Sequence, residues 1–236
     1  MKNQYFGDTR DLFKYDLVLE LLLKTGLRRF TFIPMLTEDD ETSDGGKTDY
    51  TKAGTQRRFL TRFLQDCLRD ERRDIRELER LFHDAQQLAG LELSIHGKAT
   101  YFTHEDRERY FSSIGEEQLT RSIIVVDPDN GLEVKSMRGQ KDKYIMYEEV
   151  GELYRRMDEE SVLIVFQFIP RVERREFFSR IRRRIEREAD VDSTVQFVSD
   201  NHVVFFMLTK RDAVHRAVEE AVTSYAENYG LSSGEH

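Results

Sequence analysis

Four consecutive β-branched residues, Ile123-Ile124-Val125-Val126, run straight into Asp127-Pro128-Asp129-Asn130-Gly131-Leu132-Glu133. This abrupt change from apolar residues to acid, proline and glycine constrains the fold more than any other stretch. Such a run reads as a parallel-sheet strand covered on both faces, and pairing should stop near Pro128, which has no N–H to give a ladder. In open α/β sheets, ligands bind in the crevice beyond the carboxyl ends of the strands. Asp127, Asp129 and Asn130 are therefore expected where chemistry is usually done.

The rest of the chain supplies the elements such a sheet needs. Nine of the twelve residues 12–23 are apolar, which predicts a largely buried helix with Asp8 or Thr9 as its cap and Gly26 as its stop. Lys14 is out of place on so apolar a helix, where it must either snorkel or find an anion. Residues 29–36 form the first strand. The polar stretch 37–46 behind it carries Glu38, Asp39, Asp40, Glu41 and Asp44, as a cation or ribose site or as a solvated loop.

Residues 55–89 show helical spacing broken by charge near 69–74, and so predict two helices. Leu91-Glu92-Leu93-Ser94-Ile95-His96 alternates like a strand, and Ala99-Thr100-Tyr101-Phe102 pairs with it or continues it. A short helix at 105–113 follows. Residues 147–157 are helical, 161–168 form a second buried strand with Gln167 as its polar interior residue, and 173–188 form an arginine-rich helix. Residues 194–198 and 202–208 form a hairpin around Ser199-Asp200-Asn201, and 212–225 a last amphipathic helix. The alternation predicts a three-layer α/β fold with a mostly parallel sheet and a C-terminal antiparallel hairpin. One domain should span residues 1–229, with a helical segment at about 55–89 and a disordered tail at 230–236.

Composition narrows the function classes. With 45 acidic against 37 basic residues the net charge is -8, so bulk charge does not hold nucleic acid. A local basic face remains open. In the helix at 173–188, Arg174, Arg175, Arg180, Arg183 and Arg184 could grip the phosphates of a nucleic acid, or could form an internally paired, solvated face with the intervening glutamates. Cys67 is the only cysteine, which rules out an internal disulfide and suits a reducing, cytoplasmic setting. No apolar run reaches the roughly 20 residues needed to cross a bilayer, and the first residues lack the apolar core of a signal peptide.

Several signatures fail on spacing. The six histidines show no ligand pattern, and neither a Gly-Lys-Ser/Thr phosphate loop nor a G-x-G-x-x-G turn occurs. Pro128-Asp129 with Glu133-Val134-Lys135 superficially matches a PD…ExK nuclease, but three intervening residues are too few to bring two separate strands to one metal. Convergence of Asp39, Asp40, Asp127, Asp129 and Glu133 on a divalent cation would make a metal-dependent phosphoesterase or nuclease. Asp127-Pro128-Asp129-Asn130 itself can hold an exocyclic amine or a cofactor's polar groups, or can cap its own backbone as an Asx-type turn.

Those four residues resemble the D/N-P-P-Y/F/W motif of class I S-adenosylmethionine-dependent methyltransferases that modify exocyclic amines. Gly7-Asp8-Thr9-Arg10-Asp11-Leu12-Phe13-Lys14-Tyr15 is similar to the G-N-x-x-D-x-x-K-H opening helix of adenine-N6 methyltransferases acting on large-subunit ribosomal RNA. The sequence is closer still to an uncharacterised prokaryotic family with G-D-x-x-D-x-x-K-Y and D-P-D-N-G-L-E. The resemblance implies a Rossmann-like methyltransferase fold with S-adenosylmethionine as cofactor and a nucleic-acid amine as substrate. It places Gly7, Asp8, Lys14, Met35, Thr37 and Asp39 around the cofactor. Lys14 would face its carboxylate, and Thr37 or Asp39 its ribose. Asp127, Asp129 and Asn130 would form the catalytic loop, with Asp127 accepting from the target amine. Ile33-Pro34-Met35-Leu36-Thr37 stands where the family carries a glycine-containing acidic turn, and Asn130 where it carries an aromatic. A non-catalytic binding or assembly module of the same fold is the alternative.

Overall fold

The computed structural model describes residues 1–40, 42, 45–52, 57–134, 137 and 139–234. The apolar first helix, α1, spans Thr9–Thr25 and ends where Gly26 takes a left-handed φ of 72°. Strand β1 follows at Arg29–Ile33, shorter than the expected 29–36 because Pro34 ends its pairing. The next tract divides into α2 (Arg58–Arg69) and α3 (Glu77–Asp84), broken near Glu71, whose φ is 55°. Thr55, the expected start of that tract, lies outside the described residues.

Strand β2 is Glu92–Ile95. The expected continuation through 99–102 does not form. Gly97 turns at a φ of 61°, and a Cβ there would come within 2.6 Å of the Tyr110 ring. Two short helices follow, α4 (Arg107–Ser112) and α5 (Glu116–Leu119). The β-branched run forms β3, Ser122–Val126, buried at every position. Beyond it, β4 (Gly131–Leu132) pairs in parallel with β5 (Tyr144–Ile145) as a two-stranded ribbon, an element not expected from the residues alone. Then come α6 (Tyr147–Arg156), β6 (Val162–Phe168), α7 (Arg174–Glu188), β7 (Gln196–Ser199), β8 (Val203–Leu208) and α8 (Asp212–Tyr229). The expected disordered tail is corrected in part. Ser232–Gly234 forms β9, which adds an antiparallel edge to β7, while 235–236 lie outside the described residues.

Seven strands make one mixed sheet in the order β2-β1-β3-β6-β8-β7-β9. The first four are mutually parallel, and β8 runs antiparallel to both β6 and β7. The period-2 pleat sorts the side chains into two cores. Phe30, Phe32, Ile123, Val125, Ile164 and Phe205 face α1, α2, α3 and α8. Ile33, Ile124, Val126, Leu163, Val165 and Phe206 face α4, α6 and α7. The fold is therefore α/β in three layers. Gln167, polar within β6, has a structural use: its Oε1 accepts from Leu132 N–H at 2.8 Å, anchoring β4 to the main sheet. Gly131 is needed there, since its φ is 114° and a Cβ would lie 2.5 Å from that Oε1. Among the described residues, no helix is long and apolar enough to cross a membrane.

Candidate functional site

The chain leaves β1 toward β2 on one side and later returns to β3 on the other, so the sheet's switch point lies between β1 and β3. The start of α1 projects over this point. Asp8 caps the helix, its Oδ1 accepting from the backbone N–H of Arg10 at 2.8 Å and of Asp11 at 2.9 Å. Gly7 turns the chain into the helix with a φ of 82°, and its N–H donates to Asp11 Oδ2 at 3.1 Å.

One turn on, Lys14 is fully inside. Its Nζ donates to Asp11 Oδ1 at 2.7 Å and to Asp127 Oδ2 at 2.5 Å, and it lies 5.0 Å from the centre of the Phe32 ring. Lys14 has thus found an anion, and that anion is two protein carboxylates. Burial alone would push its pKa down, but Asp11 and Asp127 outweigh burial and hold the ammonium above the usual lysine range. Burial and the neighbouring Asp11 push the Asp8 carboxyl up to about 7. Asp11 is raised too, by burial and by Asp127 against the pull of Lys14.

The second acid of the loop is held by the chain's own first residues. The α-ammonium of Met1 lies 2.6 Å from Asp129 Oδ1 and donates to the Met35 carbonyl at 3.1 Å. Thr37 Oγ1 donates to Asp129 Oδ2 at 2.8 Å, and Thr37 N–H to the Met1 carbonyl at 2.7 Å. Met35 is wholly buried and takes a φ of 40°, so a non-glycine residue makes the left-handed turn after β1. Lys2 is buried with its ammonium on Asp40, and Gln4 N–H donates to Asp39 Oδ1 at 3.0 Å. Asn3 Oδ1 accepts from Ile75 N–H at 3.1 Å, and Arg73 donates to the carbonyls of Gln4 and Gly45. Residues 1–6 therefore form a strap through the crevice, fixed at both walls.

The strap divides the crevice in two. On the α1 side, Met1, Asp8, Lys14, Asp127, Asp129 and Phe168 enclose about 30 Å³, room for a water or two. On the other side, a cleft of about 670 Å³ opens between Thr37, Tyr101, Lys141 and Lys143.

No protein-family model matches this sequence. No curated protein matches it either. Its fold is similar to the crystal structure of protein LPL1258 from Legionella pneumophila str. Philadelphia 1, of family model DUF519, over 97% of this chain and 96% of that one, with a TM-score of 0.45 and 10% identity.

Asp8, Lys14, Asp127 and Asp129 converge on the closed side of the crevice, and Met35 and Thr37 meet them through Met1. Three expectations need correction. Lys14 faces Asp11 and Asp127 rather than a position open to a cofactor carboxylate. Asp39 faces the strap backbone rather than a ribose site. Asn130 is half-buried, and its N–H donates to the Lys143 carbonyl at 2.9 Å, which ties the loop to the ribbon. The acids proposed as metal ligands are engaged elsewhere, Asp127 with Lys14, Asp129 with Met1, Asp40 with Lys2, Asp39 with the Gln4 N–H and Glu133 with the Tyr147 N–H, and among the described residues no cluster of three or more His, Cys, Asp or Glu side chains gathers to hold an ion. Glu41, Asp44 and Lys135 lie outside the described residues. Sequence reasoning missed Asp11 and the strap. Asp11 was within reach, being one turn from Lys14 on the same helix face.

On the opposite layer, α7 carries seven arginines against three glutamates within its bounds. Arg182 and Arg184 pair with Glu186 and Glu188, Arg187 shares Glu188, and Arg174 donates to Asn201 Oδ1 at 2.8 Å. Arg184 also lies 4.2 Å from the centre of the Tyr147 ring. Among the described residues, Arg175, Arg180 and Arg183 have no carboxylate partner, and they line an open groove of about 770 Å³.

Proposed function

We propose that this chain is a non-catalytic, methyltransferase-like module that binds nucleic acid through α7. The observation that carries the non-catalytic half is the strap. Drug-sized ligands occupy pockets of roughly 300 Å³ or more, whereas about 30 Å³ is left beside Lys14 and Asp127. S-adenosylmethionine does not fit beside Asp8, Lys14 and Asp127, whereas Thr37, which the resemblance also assigns to it, borders the larger cleft. Both potential catalytic acids are neutralised by cations of the chain itself. Calorimetry with millimolar S-adenosylmethionine should give no heat of binding. Saturable binding that is lost in Asp127→Asn would overturn this half of the reading.

The binding half rests on the three uncompensated arginines. A net charge of -8 repels a polyanion in general, but charges farther than roughly 8 Å are largely screened at physiological salt, so a phosphate seated in the groove responds mainly to the arginines beside it. Three phosphate contacts to a single strand give a slope of log K against log salt of about -2. Fluorescence anisotropy with labelled RNA and DNA oligonucleotides should show that slope. The triple variant Arg175→Glu, Arg180→Glu, Arg183→Glu should weaken binding by at least about tenfold and flatten the salt dependence. Unchanged affinity in that variant would remove α7 from the account.

A further inference from the structure

The open half of the crevice is not used by the proposal above, and its chemistry is specific. Its volume of about 670 Å³ falls in the range of preformed small-molecule sites. Two walls define it: one after β2, carrying Tyr101 and Glu105, and one at 139–143, carrying Lys141 and Lys143. Glu38, just past β1, also lines it, next to Thr37. Both walls are fixed in place. The Arg107 guanidinium lies 4.9 Å from the centre of the Phe102 ring while donating to the carbonyls of Lys141 at 2.6 Å and Tyr144 at 2.7 Å, and it pairs with Glu149 at 2.7 Å. Phe102 N–H donates to the Leu36 carbonyl at 2.6 Å, which ties the other wall to the end of β1.

The side chains facing this space are uncommitted. Among the described residues, neither Lys141 nor Lys143 has a carboxylate within ion-pair distance, and neither Glu38 nor Glu105 has a cation. Asp142, between the two lysines in sequence, pairs with neither. Among the described residues Tyr101 is one of three exposed large hydrophobic side chains, at 47% exposure. A rigid cleft lined by two free ammonium groups, two free carboxylates and an exposed aromatic ring asks for a bipolar ligand. It should be anionic at one end, donor-rich at the other, and carry a flat ring.

We infer that this cleft binds a nucleoside 5′-phosphate. The phosphate meets Lys141 and Lys143, the base lies on Tyr101, and the ribose hydroxyls or an exocyclic amine donate to Glu38 and Glu105. The site lies at the carboxyl ends of β1 and β2, where open α/β sheets bind ligands. It requires no displacement of the strap.

Calorimetric titration with AMP, GMP, CMP, UMP and inorganic phosphate tests the assignment. At least one nucleotide should bind, and its dephosphorylated nucleoside should bind at least about tenfold more weakly. The double variant Lys141→Ala, Lys143→Ala should lose at least about tenfold, and Tyr101→Ala about tenfold, a typical worth of stacking one base. All three residues are at the surface, so these variants keep the fold, which thermal melts would verify. The triple arginine variant of α7 should bind the nucleotide unchanged, so failure of the nucleic-acid reading and failure of this one are separable. The inference is overturned if no nucleotide binds at millimolar concentration, if the lysine variants bind as the parent does, if inorganic phosphate binds as tightly as every nucleotide, or if the α7 variant abolishes binding.

Discussion

Replacing Lys14 with methionine will lower the free energy of unfolding by about 3–5 kcal/mol, the usual consequence of removing one partner from a buried ion pair. The residue is 3% exposed and its two partners are nearly as deep. Methionine fills much of the same volume, so the loss comes from charge more than from packing. Without the ammonium, Asp11 and Asp127 face each other in a dry site, and at least one must take up a proton or draw in water. For a chain of this size, that loss corresponds to a fall in Tm of about 10 °C. Urea unfolding of the parent, Lys14→Met, Asp127→Asn and the double variant completes a cycle. The double variant should recover part of the loss, because one of the two orphaned carboxylates is gone. A loss below about 1 kcal/mol for Lys14→Met would show that the contact is weaker than its geometry states, and with it the argument that the crevice is sealed.

The sheet was legible because its signals are local. Ile123 to Val126 and Val162 to Phe166 are uninterrupted apolar runs, and their alternate residues separate cleanly into the two cores. Lys14 was legible as a problem, since a lysine on a buried helix face needs an anion. Its partner Asp127 could be suspected only by placing both at one end of the sheet. The strap left no such trace. Met1 to Tyr5 has no periodicity, and its partners at residues 35–40, 73–75 and 129 are distant in the chain. Side-chain and main-chain hydrogen bonds between remote loops carry no pattern that a sequence window can detect. The ends of the sheet failed for a related reason. Ser232–Gly234 has weak strand propensity and forms β9 because β7 presents an open edge to it. In the opposite sense, Ala99 to Phe102 has the composition of a strand, but the turn at Gly97 takes it out of the sheet, leaving Phe102 buried and Tyr101 in the open cleft.

The second large effect is a dependence of stability on pH that runs opposite to ordinary acid denaturation. The Asp8 carboxyl is raised from 3.8 to about 7, first by burial and then by Asp11, against the backbone N–H of Asp11 and the charges of Arg10 and Lys14. Between those two values the folded chain holds a proton that the unfolded chain releases, so stability falls as pH rises through the interval and levels off above about 7. Each pH unit within it is worth up to about 1.4 kcal/mol, so the whole interval is worth roughly 4 kcal/mol. Asp8→Asn isolates this contribution, because asparagine caps a helix as well as aspartate does and does not titrate. Below about pH 4 the variant should match the parent, while at pH 5 it should already be more stable by somewhat over about 1 kcal/mol and at pH 8 by roughly 4 kcal/mol. Asp11 is itself raised by burial and by Asp127. Removing the Asp8 charge should ease Asp11 as well, so the flattening should be at least that of one group. Urea midpoints of parent and variant at pH 5, 6, 7 and 8 give the difference directly, with exposed carboxylates cancelling between the two. Parallel curves would mean that Asp8 stays ionised throughout, as it would if water reached the capped turn beside the strap.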